Sequence, residues 1–429
     1  MIQLLKPLPS VSYACPSCHA ALILESWVLP GMWCLAQLRC PACQDEFYGA
    51  LGEGHGLFAP ALIRRSDGSI VEDGGTKWTA WLAFNLKEAY LQRTSDDLKL
   101  QVRKLRPVGE RPLLVNCLDS CYGHALPKLF SLQYYLDRCP SYDPIVIIPR
   151  ALEWLVPEGV AEIWLVDEPL RKLGGWHDGL GARFRELLTQ WQRVWLASAP
   201  AAVHSGEYDI ERFTGVQPFD IGKFGATRPV KITFIWRDDR VVAFGRTWPG
   251  HPPKRLRFGW YWQRRFVIAI AKALRNKFPD LDFAVAGLGT PGGFPNWIED
   301  LRSVKTDLAT ERNWCRRYAA SHLVVGVHGS NMMLPSAHAG SVLTLSPVYS
   351  LVVSFSDTIL NGPRTGHPTM STLLRYRSIP DETKAHTVAE WIFATVISFP
   401  GLMKVWETPV SHQEVSLSER ATSDASAGT

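Results

Sequence analysis

Beyond about residue 110 the chain alternates between short apolar runs and longer amphipathic ones. "PLLVNC" (112–117), "DPIVIIPR" (143–150), "AEIWLVDEP" (161–169) and "RVWLAS" (193–198) are short, rich in branched residues and bounded by turn formers. They read as buried strands. Between them, "HALPKLFSLQYYLDRC" (124–139) and "LGARFRELLTQW" (180–191) carry apolar residues at helical spacing. After a Gly-, Pro- and Thr-containing stretch near 215–229 the alternation restarts. "VKITFIWR" (230–237), "LDFAVAG" (281–287), "LVVGVHG" (323–329) and "SVLTLSP" (341–347) read as strands. "WYWQRRFVIAIAKALRNKF" (260–278) and "TERNWCRRYAASH" (310–322) read as helices, as does "TVAEWIFATVISF" (387–399) near the end.

Strands that alternate with helices imply parallel sheets covered on both faces. Two such series joined by a linker describe an α/β, GT-B-like architecture, with two Rossmann-like domains facing a cleft. The expected domains are an N-terminal module (1–55), a linker with helical character (56–110), a first Rossmann-like domain (111–226), a second (227–410) and a disordered tail (411–429). Ligands of such sheets sit at the carboxyl ends of the strands. In this chain those ends include Arg237 to Arg240 and His328 to Asn331.

The N-terminal module has its own signature. "CPSC" at 15–18 and "CPAC" at 40–43 enclose 21 residues. Two such turns place four thiolates on the edges of a tetrahedron, which predicts a structural Zn2+ held by Cys15, Cys18, Cys40 and Cys43 in a zinc ribbon. His19 and Cys34 are neighbouring candidates, read as a spare imidazole and a buried thiol. A closed four-cysteine site has no open position for catalysis. The module is expected to dock a partner or brace the main body, and zinc ribbons keep nucleic acid open as a partner.

Composition narrows the classes. With 46% hydrophobic and 20% charged residues, the 429-residue chain suits a globular protein with a substantial core. No run approaches the ~18 apolar residues of a membrane-spanning helix, and the start lacks a signal-peptide pattern. Nine cysteines, an odd number, argue for a reducing compartment, and the expected location is cytoplasmic. The net charge of +5 decides nothing about nucleic acid. A basic cluster (Lys254, Arg255, Arg257, Arg264, Arg265) reads either as a solvated helix entry or as a surface for a polyanion. "GLGTPGG" (287–293) matches G-x-G-x-x-G, but "FPNWIED" after it opens no helix. It is expected to be a loop at the cleft rim rather than a dinucleotide fingerprint.

Residues 113 to about 350 resemble the inverting glycosyltransferases typified by plant xylan arabinosyl- and xylosyltransferases and the animal EGF-domain O-GlcNAc transferase. The likeness lies in "ASHLVVGVHGSNMMLPSAHAGSVLTLSPV", where that family has a strand ending in His-Gly-Ala-Gly-Leu. It extends to "ITFIWRDDR" and to "CYGHALPKLFSLQYY". Ser330-Asn331 replaces the usual Ala-Gly, and the acid expected one turn after His124 is absent. The resemblance implies a nucleotide-sugar donor and a hydroxyl acceptor on a carbohydrate, glycoprotein or other large molecule, with no catalytic metal. Arg237 and Arg240 would contact the diphosphate, unless they only pair with Asp238 or Asp239. Gly329, Ser330 and Asn331 would add N–H groups at a helix start, and His328 would lie beside them. His124, in preference to Asp119, is the candidate general base at the mouth of the N-terminal half, unless it only caps its helix or orients the acceptor. The competing reading is a non-catalytic, nucleic-acid- or protein-binding chain with a degenerate GT-B body.

Overall fold

The computed structural model describes residues 2–51, 61–72, 75–96, 98–199, 208–242, 253–347, 358–359 and 375–407. Strand β1 (Ile2–Lys6) precedes the cysteine-bearing module. There β2 (Ile23–Val28), β3 (Leu35–Arg39), β4 (Glu46–Ala50), β5 (Leu62–Arg64) and β6 (Ile70–Glu72) pair antiparallel in sequential order. The exposure of β2 alternates, as expected for a strand with one covered face.

Helix α1 (Lys77–Leu91) begins with a capping box between Thr76 and Thr79. After β7 (Leu100–Lys104) comes the first α/β unit. It contains β8 (Pro112–Asn116), α2 (Tyr122–Phe130), α3 (Leu132–Arg138), β9 (Asp143–Pro149), β10 (Glu162–Val166), α4 (Asp178–Leu187) and β11 (Val194–Ala197). Strands β10-β9-β8-β11 run parallel in the order 3-2-1-4 of a Rossmann half, and every residue of β8 is buried. β1 and β7 close its two edges antiparallel.

Helix α5 (Ile210–Thr214) leads to the second unit. Its elements are β12 (Lys231–Trp236), α6 (Pro253–Lys277), β13 (Asp282–Leu288), β14 (Ile298–Ser303), α7 (Leu308–Ala319), β15 (Leu323–Val327), α8 (Met333–His338), β16 (Ser341–Ser346), β17 (Tyr376–Pro380) and α9 (Ala385–Glu407). Its six strands are all parallel in the order β14-β13-β12-β15-β16-β17, the full 3-2-1-4-5-6 Rossmann order. The fold is therefore GT-B-like. The strands and helices read from the sequence appear in this order, while β14 and β17, at the two edges of the second sheet, are not among the strands read from it.

The N-terminal boundaries differ from the expected ones. β5 and β6, read as linker, extend the ribbon's sheet beyond residue 55, while β1 and β7 belong to the first α/β sheet. Antiparallel edge strands recruited from outside the alternating series leave no local pattern that assigns them to it. The predicted tail, 411–429, lies outside the described residues.

Three contacts bring the parts together. One apolar cluster joins Leu126, Leu129 and Phe130 of α2 to Cys315 of α7 and Met333, Leu334 and Ala337 of α8. Another runs without a break from Trp27, Trp33 and Phe47 of the ribbon into Leu114, Ile145 and Trp164 of the first unit. Between α5 and α8, the buried Thr214 Oγ1 lies 3.0 Å from Nε2 of buried His338.

Candidate active site

In the second unit the switch point of the strand order lies between β12 and β15. The residues that follow these strands are Arg237 to Arg240 and His328 to Asn331, so distant sequence segments become neighbours. Arg237 Nη1 donates to Asn331 Oδ1 at 2.8 Å and to His328 O at 3.4 Å. Arg240 Nη1 donates to the same carbonyl at 3.3 Å and stands 3.2 Å from His328 Nε2. A guanidinium only donates. In this contact His328 Nε2 can only be the acceptor.

Two cations meeting at one carbonyl need backbone that lets them in. Gly329 has φ +128°, and a Cβ there would stand 2.2 Å from Arg237 Nη1 and 3.0 Å from Arg240 Nη1. Only glycine fits this position. The pairing with Asp239 weighed in the sequence also exists: Arg237 Nε donates to Asp239 Oδ1 at 2.8 Å, and Nη2 contacts Oδ2. Asp238 takes another partner, the Trp236 indole N–H at 2.7 Å. Gln263 of α6 holds the segment from both ends, donating to Arg237 O and accepting from Val242 N.

The helix expected after His328 is modest. Ser330–Met332 form a single 3-10 turn, and α8 has six residues. Its dipole is correspondingly small, and the fixed positive charge of the site comes from the arginines rather than from a helix end.

Opposite this turn lies the first unit. A Cβ on Gly123 would stand 2.8 Å from Ser330 Cβ and 3.6 Å from Met333 Sδ, so the first turn of α2 lies directly on the Ser330 turn. One residue further, His124 is partly exposed, with Nδ1 3.3 Å from Asp119 Oδ1. The acid missing after His124 in sequence is supplied from before it. Asp119 is fully buried, accepts from Cys121 N at 3.0 Å, and has Oδ2 2.9 Å from Lys128 Nζ. Lys128 is also fully buried and donates to Leu118 O at 2.8 Å. The sequence reading passed over Lys128, because a lysine in an amphipathic helix normally points to solvent.

The loop "GLGTPGG" follows β13 at the same strand edge. Arg302 pins it, lying 4.6 Å from both the Trp236 and Phe294 ring centres, pairing with Asp300 and donating to Gly292 O at 2.7 Å. Strand β14, not a helix, comes next, so the dinucleotide arrangement is absent. A cavity of about 390 Å³ opens beyond β17, lined by Val242, Trp262, Arg265, Phe266 and residues 381–384. No motif marks it in sequence. Of the basic cluster, Arg264 and Arg265 are described, and Arg265 Nη1 donates to Tyr261 OH at 3.0 Å. The side chains of 254, 255 and 257 lie outside the described residues.

At the other end of the molecule the four cysteine sulfurs lie within 4.8 Å of one another. Cys15 and Cys43 are 3.6 Å apart, and Cys18 and Cys40 are 3.4 Å apart. A tetrahedron of Zn–S bonds of about 2.3 Å has edges of about 3.8 Å, so the donor set fits a small zinc site. Both knuckles have one geometry. His19 and Gln44 take positive φ and donate back to Cys15 O and Cys40 O, turning each pair inward. Backbone N–H groups, first that of Cys43, lower the Cys40 thiol to about 6. Cys43 is pushed up to about 12, the sulfurs around it outweighing the N–H of Asp45. Together the four sulfurs could hold a metal ion. Cys34 is buried beside Asn116, 3.4 Å from its Nδ2, and does not join the cluster.

No family model matches the sequence, and no curated protein matches it. Among solved structures, the chain is similar to the ADP-heptose LPS heptosyltransferase II of E. coli, with 12% identity and a TM-score of 0.34 over 68% of this chain and 99% of that one. The E. coli heptosyltransferase WaaC with ADP gives 12% identity and a TM-score of 0.32 over 67% and 98%. A GtfA/B complex gives 11% and 0.22 over 65% and 60%. At such TM-scores the likeness is one of outline, and the fold assignment rests on the strand orders above. Among the described residues, no helix is long and apolar enough to cross a membrane.

Proposed function

We propose that the chain is an inverting glycosyltransferase that moves a sugar from a nucleotide-sugar donor to a hydroxyl of a carbohydrate, glycoprotein or other large acceptor. One observation supports this reading: the first turn of α2, which carries His124, packs on the Ser330 turn of the other Rossmann-like unit, whose His328 carbonyl accepts from Arg237 and Arg240. Arg237, Arg240 and the Gly329–Asn331 turn would stabilise charge growing on the diphosphate, the largest requirement of such a reaction. His328, held by Arg240, would keep this cradle in shape. The cavity beyond β17 opens at the same strand edge and offers room for the rest of a nucleotide.

On the other side, His124 would act as general base through Nε2, with Asp119 on Nδ1 stabilising the imidazolium that forms. Lys128 Nζ, 2.9 Å from Asp119 Oδ2, would hold that carboxylate in place. The acceptor oxygen would give its proton to His124 as it bonds to the anomeric carbon. The bond from that carbon to the phosphate oxygen breaks with its electron pair, and the nucleoside diphosphate leaves. Base and leaving-group cradle on opposite sides suit inversion. The charge stabilisation comes from arginines, and transfer is read as metal-independent. Zinc is the metal proposed for Cys15, Cys18, Cys40 and Cys43, with a structural role.

Thermal-shift screening against UDP-, GDP-, ADP-, CMP- and dTDP-linked sugars and the free diphosphates tests the reading. At least one is expected to stabilise the chain, and Arg240→Ala is expected to abolish that stabilisation. A flat response to all of them, together with nucleic-acid binding, would establish the non-catalytic reading instead.

A further inference from the structure

The ribbon does not hang from the body. The connection between β2 and β3, residues 29–34, is buried throughout and inserts at the carboxyl edge of the first sheet. There His177 N donates to Pro30 O at 2.8 Å, and the Trp33 indole N–H donates to Gly174 O at 3.2 Å. Gly174 closes on Ser120, and a Cβ on it would stand 2.8 Å from Ser120 Cβ and 3.8 Å from Met32 Sδ. Ser120 directly follows Asp119.

Asn116 makes the decisive link. It is the last residue of β8 and nearly fully buried. Its Nδ2 donates to Gly31 O of the ribbon at 2.9 Å, and its Oδ1 accepts from Leu118 N at 3.1 Å. One amide therefore ties the ribbon's tip to the turn that presents Asp119, which in turn orients His124. A buried amide with both ends satisfied holds one geometry, because either bond lost leaves an unpaired polar group in the core.

We infer that Asn116 is a positioning residue, and that the 29–34 tip of the ribbon acts on the reaction through it by fixing the Leu118–Ser120 turn beneath His124. The ribbon is then a built-in wall of the acceptor side rather than a separate docking module. This rests on the transferase reading, with Asp119 and His124 in the roles given above.

The test is a double-mutant cycle in the full chain, read as donor turnover with a responding nucleotide sugar. Asn116→Ala is expected to lower kcat about a hundredfold, as misplacing a catalytic group by ~1 Å does. Its nucleoside diphosphate affinity should be unchanged, since that site belongs to the other unit. In a His124→Gln background the same substitution should change kcat by less than about twofold, because residues that act as one unit are not additive. Trp33→Phe, which keeps an aromatic side chain but loses the indole N–H and part of the buried ring, should show the same pattern more weakly if Asn116→Ala folds poorly. Equal losses in both backgrounds, or a parallel loss of diphosphate affinity, would overturn the proposal. Histidine-selective 13C NMR separates the two ideas. If no donor turns over, the transferase reading fails, while a His124 ring signal shifted by Asn116→Ala still supports the positioning role and an unmoved signal removes it.

Discussion

The two Rossmann-like units share a parallel 3-2-1-4 core but place different groups at the carboxyl edge of their sheets. In the first, the crevice over β8 is filled by the tip of the ribbon, and its charges form a buried chain from Lys128 to Asp119 to the partly exposed His124. In the second, two arginines lie over one glycine at the turn after β15. The same 3-2-1-4 core thus carries a histidine beside a buried ion pair in one unit and two arginines on one carbonyl in the other.

Metal removal should break this comparison most strongly. Structural zinc contributes on the order of 10 kcal/mol in isolated ribbon-sized modules, and the ribbon here shares its core with the first unit alone. Chelation is expected to remove hydrogen-exchange protection from β2–β5 and from the 173–177 loop, while β12–β17 stay protected. Equal loss in both units would mean that they fold as one.

Lys128→Met comes next. Breaking a buried ion pair by removing one partner typically costs about 3–5 kcal/mol, because a charge is left behind. Urea denaturation should show that loss, and Asp119→Asn in the same chain should recover part of it. An effect under about 1 kcal/mol would mean that the pair is not buried in solution.

The tie between the units supplies a pH test. Burial lowers His338 to about 4, below its ordinary value of 6.5. The unfolded chain binds the proton more readily, so the stabilising contribution is fully present above pH 6.5 and is lost as pH falls from 6.5 towards 4. The loss is on the order of 3 kcal/mol. Urea midpoints at pH 7 and pH 4.5 should differ accordingly, and His338→Gln should flatten that part of the profile.

Gly329→Ala is the mildest for the fold. Forcing a side chain into positive φ costs about 1–3 kcal/mol, but its Cβ displaces Arg237. Diphosphate affinity should fall at least about tenfold in calorimetry, with the first unit unaffected. Unchanged affinity would remove the turn from the donor site.

Much of this organisation is legible in the sequence because it is local. The apolar runs at 112–116 and 323–327 are strands because both faces of a parallel sheet are covered, and the two Cys-x-x-Cys turns bring their own geometry. Arg237 and His328 are legible as strand-end residues for the same reason. Edge strands β1 and β7 are not, since pairing partners dozens of residues away decide them. Asp119 and His124 are both legible as candidates at the mouth of the first unit, but their 3.3 Å contact, with Asp119 reaching His124 from the preceding turn, is not.

By itself, the sequence determined the parallel α/β series, the four-sulfur cluster and the identity of the residues at the strand ends, since periodicity and short-range spacing fix these. Only the tertiary structure decided which distant groups became partners. It placed Arg240 on His328 and buried Lys128 beneath Asp119. It also set the ribbon's tip on Asn116. Those contacts depend on how separate elements pack, and packing is a property of the whole chain that no local window of residues contains.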